Sequence, residues 1–163
     1  MATWDEVTAA APELAGKARA LFDAHRHKTM ATLRKDGSPR ISGTEASFAD
    51  GDLWLGGMYK SMKALDLRRD PRLALHSATV DPPDDPARFD GDAKITGRAE
   101  EITDPDRKAA VAGASGGDAP PGPYHLFRVD VTEVVVTRIG DPPDHLVIEL
   151  WREGEGLRRM QRR

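Results

Sequence analysis

The chain has 163 residues, with 24 Lys and Arg against 27 Asp and Glu, nine aromatic residues and no cysteine. Its length argues for one domain spanning residues 1–163, since two halves of about 80 residues would each bury too little surface. The missing cysteines exclude a disulfide scaffold, a Cys-ligated metal and a thiol nucleophile, and the net charge of −3 removes the broad basic field of sequence-independent nucleic-acid binding.

Residues 3–27 open with the capping box Thr3-x-x-Glu6. They then place Val7, Ala11, Leu14, Ala18, Leu21, Phe22 and His25 on one helical stripe. Pro12 interrupts this stripe, which predicts a break near Ala11 with Pro12 as the first residue of the main helix. From Thr29 the apolar period changes to two. Residues 29–33, 39–48 and 53–55, separated by Asp36-Gly37 and Asp50-Gly51, predict a three-stranded antiparallel meander. Residues 62–69 return to helical spacing and stop at Asp70-Pro71. Residues 72–78 form a further strand, and the acidic, proline-rich run 81–92 forms a loop.

A strand is predicted over 93–102 and a short helix from Asp104-Pro105 to about Gly113, followed by a Gly/Pro-rich loop over 114–123. In the last third Phe127, Val129 and Val131 share one parity while Val134 and Val136 take the other. A bulge near Thr132-Glu133 would reconcile them. Leu146, Ile148 and Leu150 form one face of the next strand and Val147, Glu149 and Trp151 the other. Residues 152–163 are rich in arginine and read as a frayed basic tail. Six or seven mostly hairpin-connected strands with two or three peripheral helices fit a mainly β, α+β fold, a small antiparallel barrel. Few aromatics and 31% charged residues imply a modest core, which a second subunit could extend. No apolar run approaches the roughly 20 residues of a membrane span. The N-terminal MATWDEV lacks a basic region followed by an apolar one, so a soluble, cytoplasmic protein is expected.

Chemistry concentrates between residues 58 and 72, where five Lys and Arg stand against two Asp. Ser61 is a suitable N-cap, yet Lys60 and Lys63 place cations where the helix dipole is already positive. An anion would complete that arrangement. Free backbone N–H groups, a hydroxyl and a lysine at a helix start suit phosphate, and Gly56 and Gly57 would let a ligand approach the backbone. The alternative is an ordinary capped surface helix with solvated lysines. No P-loop, Gly-x-Gly-x-x-Gly or Gly-x-Ser-x-Gly motif is present. His25, His27, His76, His125 and His145 have no spacing that assembles a metal site, and read as structural or solvated.

Three runs carry a resemblance: TMATLRKDGSPRIS (29–42), KSMKALDLRRDPR (60–72) and ELWREGEGL (149–157). In this order they resemble the pyridoxamine 5′-phosphate oxidase-like split-barrel family of FMN- and deazaflavin (F420)-binding oxidoreductases. The resemblance implies a homodimeric split β-barrel with a flavin at the subunit interface, FMN before F420. It also implies hydride transfer to or from a small organic substrate, with no catalytic side chain and no metal. Ser61 and Lys63, flanking Met62, match the family's phosphate-binding serine and lysine. Ser42, Gly43, Thr44 and Glu45 match the strand lining the isoalloxazine and ribityl chain, and Gly56 and Gly57 the paired strand beneath it. Trp151 matches a tryptophan near the flavin, or is a rim aromatic packing the last strand. Position 42 is Ser where the oxidases tend to carry an FMN-contacting Arg, and their closing Arg-x-His motif has no counterpart. The resemblance therefore implies something other than a true pyridoxamine-phosphate oxidase. A non-catalytic binder of flavin, haem or tetrapyrrole on the same barrel is the alternative.

Overall fold

The structure is a computed structural model that describes residues 2–163. Thr3 Oγ1 accepts from Glu6 N at 3.2 Å and the Glu6 carboxylate accepts from Thr3 N at 2.8 Å, closing the capping box of helix α1 (Trp4–Ala10). Ala11 leaves helical dihedrals and Pro12 begins α2 (Pro12–Asp23), as the sequence predicts. Val7, Ala11, Leu14, Ala18 and Phe22 are buried along the stripe. The helix ends at Asp23, so His25 and His27 do not lie on it as the spacing suggested. They sit in the exposed turn beyond.

Strands β1 (Lys28–Leu33) and β2 (Pro39–Thr44) form one hairpin, and β3 (Ala46–Ala49) and β4 (Asp52–Met58) a second. Asp50 and Gly51 have φ of 49° and 76°, the sign pattern of the type I′ turns that join twisted strands tightly. The predicted meander is corrected here: residues 39–48 break at Glu45 and do not form one strand. The remaining strands of the main sheet are β5 (Arg72–His76), β6 (Asp92–Glu101) and β7 (Tyr124–Ile139), in the order β2-β1-β5-β6-β7-β4-β3 with every pairing antiparallel. The two hairpins thus occupy opposite edges. The chain crosses between those edges at Glu45, joined by covalent connection and not by a ladder.

Helix α3 (Met62–Arg69) follows β4, α4 (Pro105–Ala114) follows β6, and a single 3₁₀ turn at Pro86–Arg88 interrupts the acidic loop. Strand β8 (Leu146–Arg152) pairs with the second half of β7. The expected frayed tail is instead an edge strand, β9 (Gly156–Arg162), paired with β8 along its whole length. Gly154 and Gly156, at φ of 79° and 77°, supply the reversal. Among the described residues there are nine strands and four α-helices, more than the sequence predicts, because the broken run and the tail each add a strand.

The parity change in β7 is resolved where the sequence requires it. Thr96 faces Glu133 and Gly97 faces Val131, leaving Thr132 as the extra residue of a bulge. Its hydroxyl donates to the Thr96 carbonyl at 3.1 Å, and its carbonyl accepts from Glu153 N at 3.0 Å. The bulge keeps Val129, Val131, Val134 and Val136 all buried. Gly97 is required opposite it, since a Cβ there would stand 2.4 Å from Asp130 O.

These valines, α1, α2, Met30, Leu53, Leu55 and Leu75 form the main core, with Trp4 and Phe22 packed on Phe48 at ring separations of 4.6 and 6.2 Å. Each fully buried large side chain contributes about 1.5–3 kcal/mol. A second, smaller cluster lies on the other face of β4 and β7, made by Trp54, Ile102, Val111 and Leu126. It seats α4 against the sheet.

Candidate functional site

The outer face of β4 and β7 opens into a groove of about 930 Å³. Gly56 pairs with Leu126 and Met58 with Tyr124, so these four positions share the groove face, with Trp54 two residues before Gly56. A Cβ at Gly43 or Gly56 would meet nothing within 4 Å, so a ligand can reach the backbone at both. One wall is residues 43–47, where the chain crosses from β2 to β3. The facing wall is α4 with the Gly/Pro-rich loop after it. Ser47 Oγ and Ser115 Oγ, 3.3 Å apart, bridge the two walls.

The groove collects cations. Lys28 is only 6% exposed, and its Nζ donates to the carbonyls of Arg26 at 3.1 Å and Ala46 at 3.4 Å. Lys63 reaches from α3 to the Gly43 carbonyl at 2.8 Å. Burial pushes both ammonium groups below the usual lysine range, opposed by Glu45 and, for Lys28, also by Asp23. Neither forms an ion pair among the described residues; Glu45 is held by Arg26 at 2.9 Å. Two partly desolvated ammonium groups with no ion pair on one groove favour an anionic occupant.

Ser61 stands at the N-cap position of α3, as expected, but its hydroxyl makes no capping bond. The Oγ is buried without a hydrogen-bond partner, beside Gly57. Such an orphaned hydroxyl is uncommon and costs stability unless something satisfies it. Just before it, Met58 to Ser61 form a turn closed by Ser61 N donating to Met58 O at 3.0 Å, with Lys60 at a left-handed φ of 58°. Lys60 N donates to His125 Nε2 at 3.1 Å. The other ring nitrogen, Nδ1, meets Glu101 Oε1 at 2.7 Å, and Arg68 clamps the same carboxylate at 2.6 and 3.0 Å.

Helix α3 is anchored from beneath by Asp66, which is 1% exposed. It accepts from Thr32 Oγ1 at 2.8 Å, Arg40 Nε at 2.7 Å and an Arg69 guanidinium nitrogen at 2.9 Å. Burial alone would raise its carboxyl, but the hydrogen bonds from Arg40, Arg69 and Thr32 outweigh it and hold the pKa below the usual carboxylate value. The helix start therefore sits on a fixed base.

Of the residues singled out from sequence, Gly43, Thr44, Glu45, Gly56, Gly57 and Lys63 come together on the groove, with Ser61 directly beneath Gly57. Ser42 takes the opposite parity on β2, and Met62 is exposed at the start of α3; neither contributes to the lining. Trp151 belongs to the main core at 6% exposure, opposite Val134 and Leu157. It shares the buried parity of Val147 and Glu149 on β8, so its ring packs the interior and not the groove. Sequence reasoning missed Lys28, whose even parity with Met30 was the available signal. It also missed the wall made by Trp54, Tyr124 and α4, whereas His125, read as structural or solvated, is buried with both ring nitrogens bonded.

A comparison with curated protein sequences finds no match. Among solved structures, the chain is similar to PhzG from Burkholderia lata 383 in complex with tetrahydrophenazine-1-carboxylic acid. The identity is 14%, 96% of this chain and 91% of that one are covered, and the TM-score is 0.64. It is similar also to a heme binding protein from Mycobacterium smegmatis, at 16% identity, 91% and 87% coverage and a TM-score of 0.59. An F420 reductase shares 21% identity over 71% of this chain and 94% of its own, with a TM-score of 0.51. The family model of pyridoxamine 5′-phosphate oxidase matches residues 14–138, which take in both edge hairpins, α3 and the groove floor. With that match over most of its length and an antiparallel sheet split at Glu45, the chain belongs to the pyridoxamine 5′-phosphate oxidase-like split-barrel family.

Proposed function

We propose that this protein is a flavin-dependent oxidoreductase that binds FMN, or the deazaflavin F420, in the groove between β2/α3 and α4. The observation that carries the reading is the pair Lys28 and Lys63, one buried and one half-buried ammonium group bonded only to carbonyls on one groove. A phosphorylated cofactor supplies the anion they lack. Lys63 and Lys28 hold the phosphate, with the Ser61 hydroxyl as a further donor after a rotamer change. Gly43 and Gly56 admit a flat ring close to the backbone, while Trp54, Val111 and Leu126 keep water from one side of it. When bound, the flavin supplies the hydride chemistry, so no acid or base side chain is demanded of the chain. Ile41, Met58, Tyr59 and Met62 are exposed apolar side chains at and beside the groove, on β2, β4, the turn after it and the start of α3. A second copy of the chain covering them makes a homodimer with the cofactor at its interface, and a small organic substrate enters beside it.

Titration of the purified protein with FMN and with F420, followed by flavin fluorescence and absorbance, tests this. Lys63→Ala is expected to weaken binding by about 10- to 150-fold, the value of a charge-assisted contact of about 1.5–3 kcal/mol. Binding of neither cofactor, or unchanged affinity in the variant, overturns the assignment. Bound cofactor that is never reduced or reoxidised, or preferential uptake of haem, replaces the enzyme with a non-catalytic carrier.

A further inference from the structure

His125 is a buried polar side chain outside the groove lining with both ring nitrogens engaged. It is 2% exposed and lies between Tyr59 and Phe127, with ring separations of 5.8 and 6.0 Å and planes within 17° of parallel. Its two nitrogens do different work. Because Nε2 accepts the Lys60 N–H, the proton of the neutral ring sits on Nδ1 and is donated to Glu101. Burial raises the Glu101 carboxyl, but the bonds from Arg68 and His125 outweigh it, so the carboxylate stays ionised and selects this tautomer.

The chain Arg68–Glu101–His125 therefore ends on one backbone amide, that of Lys60, a non-glycine residue in the left-handed region. A lysine there is strained and persists only where the surroundings over-determine it. The amide held by His125 belongs to the residue immediately before Ser61, and so sets where the Ser61 hydroxyl and the first turn of α3 are presented.

Resting on the reading of this turn as the phosphate end of the cofactor groove, we propose that His125 is a positioning residue for phosphate recognition. It acts through Lys60 N without touching the cofactor. It would thus determine the preference for a phosphorylated over an unphosphorylated flavin.

The test compares FMN with riboflavin, which has the same ring and no phosphate. His125→Asn keeps a donor toward Glu101 but loses the acceptor for Lys60, whereas His125→Gln keeps an acceptor at the Nε2 position. H125N is expected to weaken FMN binding about ten-fold while leaving riboflavin within about two-fold, and H125Q to restore most of the FMN affinity. Equal losses for both flavins in both variants, or no loss, overturn the proposal, since a ring that merely packs the sheet has no reason to distinguish them. Should H125N fail to fold, Glu101→Gln provides the second variant. It leaves the ring in place but removes the charge that fixes its tautomer, and must lower the FMN-to-riboflavin preference in the same direction. If wild type binds neither flavin, the cofactor reading falls, and the role of His125 is decided by hydrogen exchange at the Lys60 amide. Protection in wild type and H125Q but not in H125N upholds it, and equal protection in all three ends it.

Discussion

The two walls of the groove are built differently. The β2/α3 wall is cationic and tied down by charge: Asp66 joins β1, β2 and α3 through three hydrogen bonds, and the Arg68–Glu101–His125 chain fixes the turn before α3. The α4 wall is mainly apolar. It rests on a small cluster around Trp54 and Val111, with Lys108 over Tyr124 at 3.9 Å and Arg107 over Trp54 at 5.9 Å. Beyond it the chain runs through a loop containing Gly116, Gly117, Pro120 and Pro121 with no regular structure. Directional bonds fix one wall in place, while the other is held by a few side chains that can repack. A cofactor phosphate needs the first kind of wall, and acceptors of varied shape are better served by the second.

The largest expected effect comes from breaking the anchored wall. Asp66→Ala leaves Arg40 half-buried without its carboxylate and should cost about 3 kcal/mol of global stability, read by urea denaturation. The same residue sets an acid limit. Its folded pKa lies below its unfolded value of about 3.8, so its contribution is complete above that value and is lost as pH falls through the lower folded one. Wild type should show that acid loss and an Asp66→Asn variant should lack this part of it. Retention of wild-type stability by Asp66→Ala would erase the contrast between the walls.

A smaller effect follows from the second wall. Val111→Ala removes two buried methyl groups and should cost about 1.6 kcal/mol. Hydrogen exchange should rise in α4 more than in α2 or the central strands, since a small cluster opens locally. A uniform rise across the sheet would mean that α4 is part of the main cooperative unit.

The smallest is a pH effect on binding. Lys28 and Lys63 lose their protons below the ordinary lysine value of 10.5 in the free protein, and a bound phosphate favours the charged forms. Binding should therefore take up protons at alkaline pH. FMN affinity should fall as pH rises through the depressed values, by at most about ten-fold per pH unit for each lysine. An affinity flat up to pH 10.5 would remove both lysines from the phosphate site.

Local chemistry was legible wherever a few neighbouring residues decide it. Thr3 and Glu6 cap α1, Pro12 splits α1 from α2, Asp50-Gly51 makes its turn, α3 runs from Met62 to Arg69, and Thr132 is the extra residue of the bulge. Each follows from dihedral preference or side-chain parity, which act over a handful of residues. The groove was legible in part: Gly43, Gly56 and Lys63 reach it, whereas Trp151, chosen by motif, is turned into the core by its parity with Val147.

What the tertiary structure alone decided was pairing at long range. Nothing in residues 39–48 announces that one run serves both edges of the sheet, because the break at Glu45 depends on strands β5 to β7 filling the space between. The basic ending becomes β9 only because β8 offers an unpaired edge, where backbone hydrogen bonds outweigh the entropy that keeps a tail free. His125 and Lys60 are 65 positions apart, and their bond exists because β4 and β7 lie side by side. Sequence order thus set the elements, and the long-range strand pairing of the sheet chose which side chains meet.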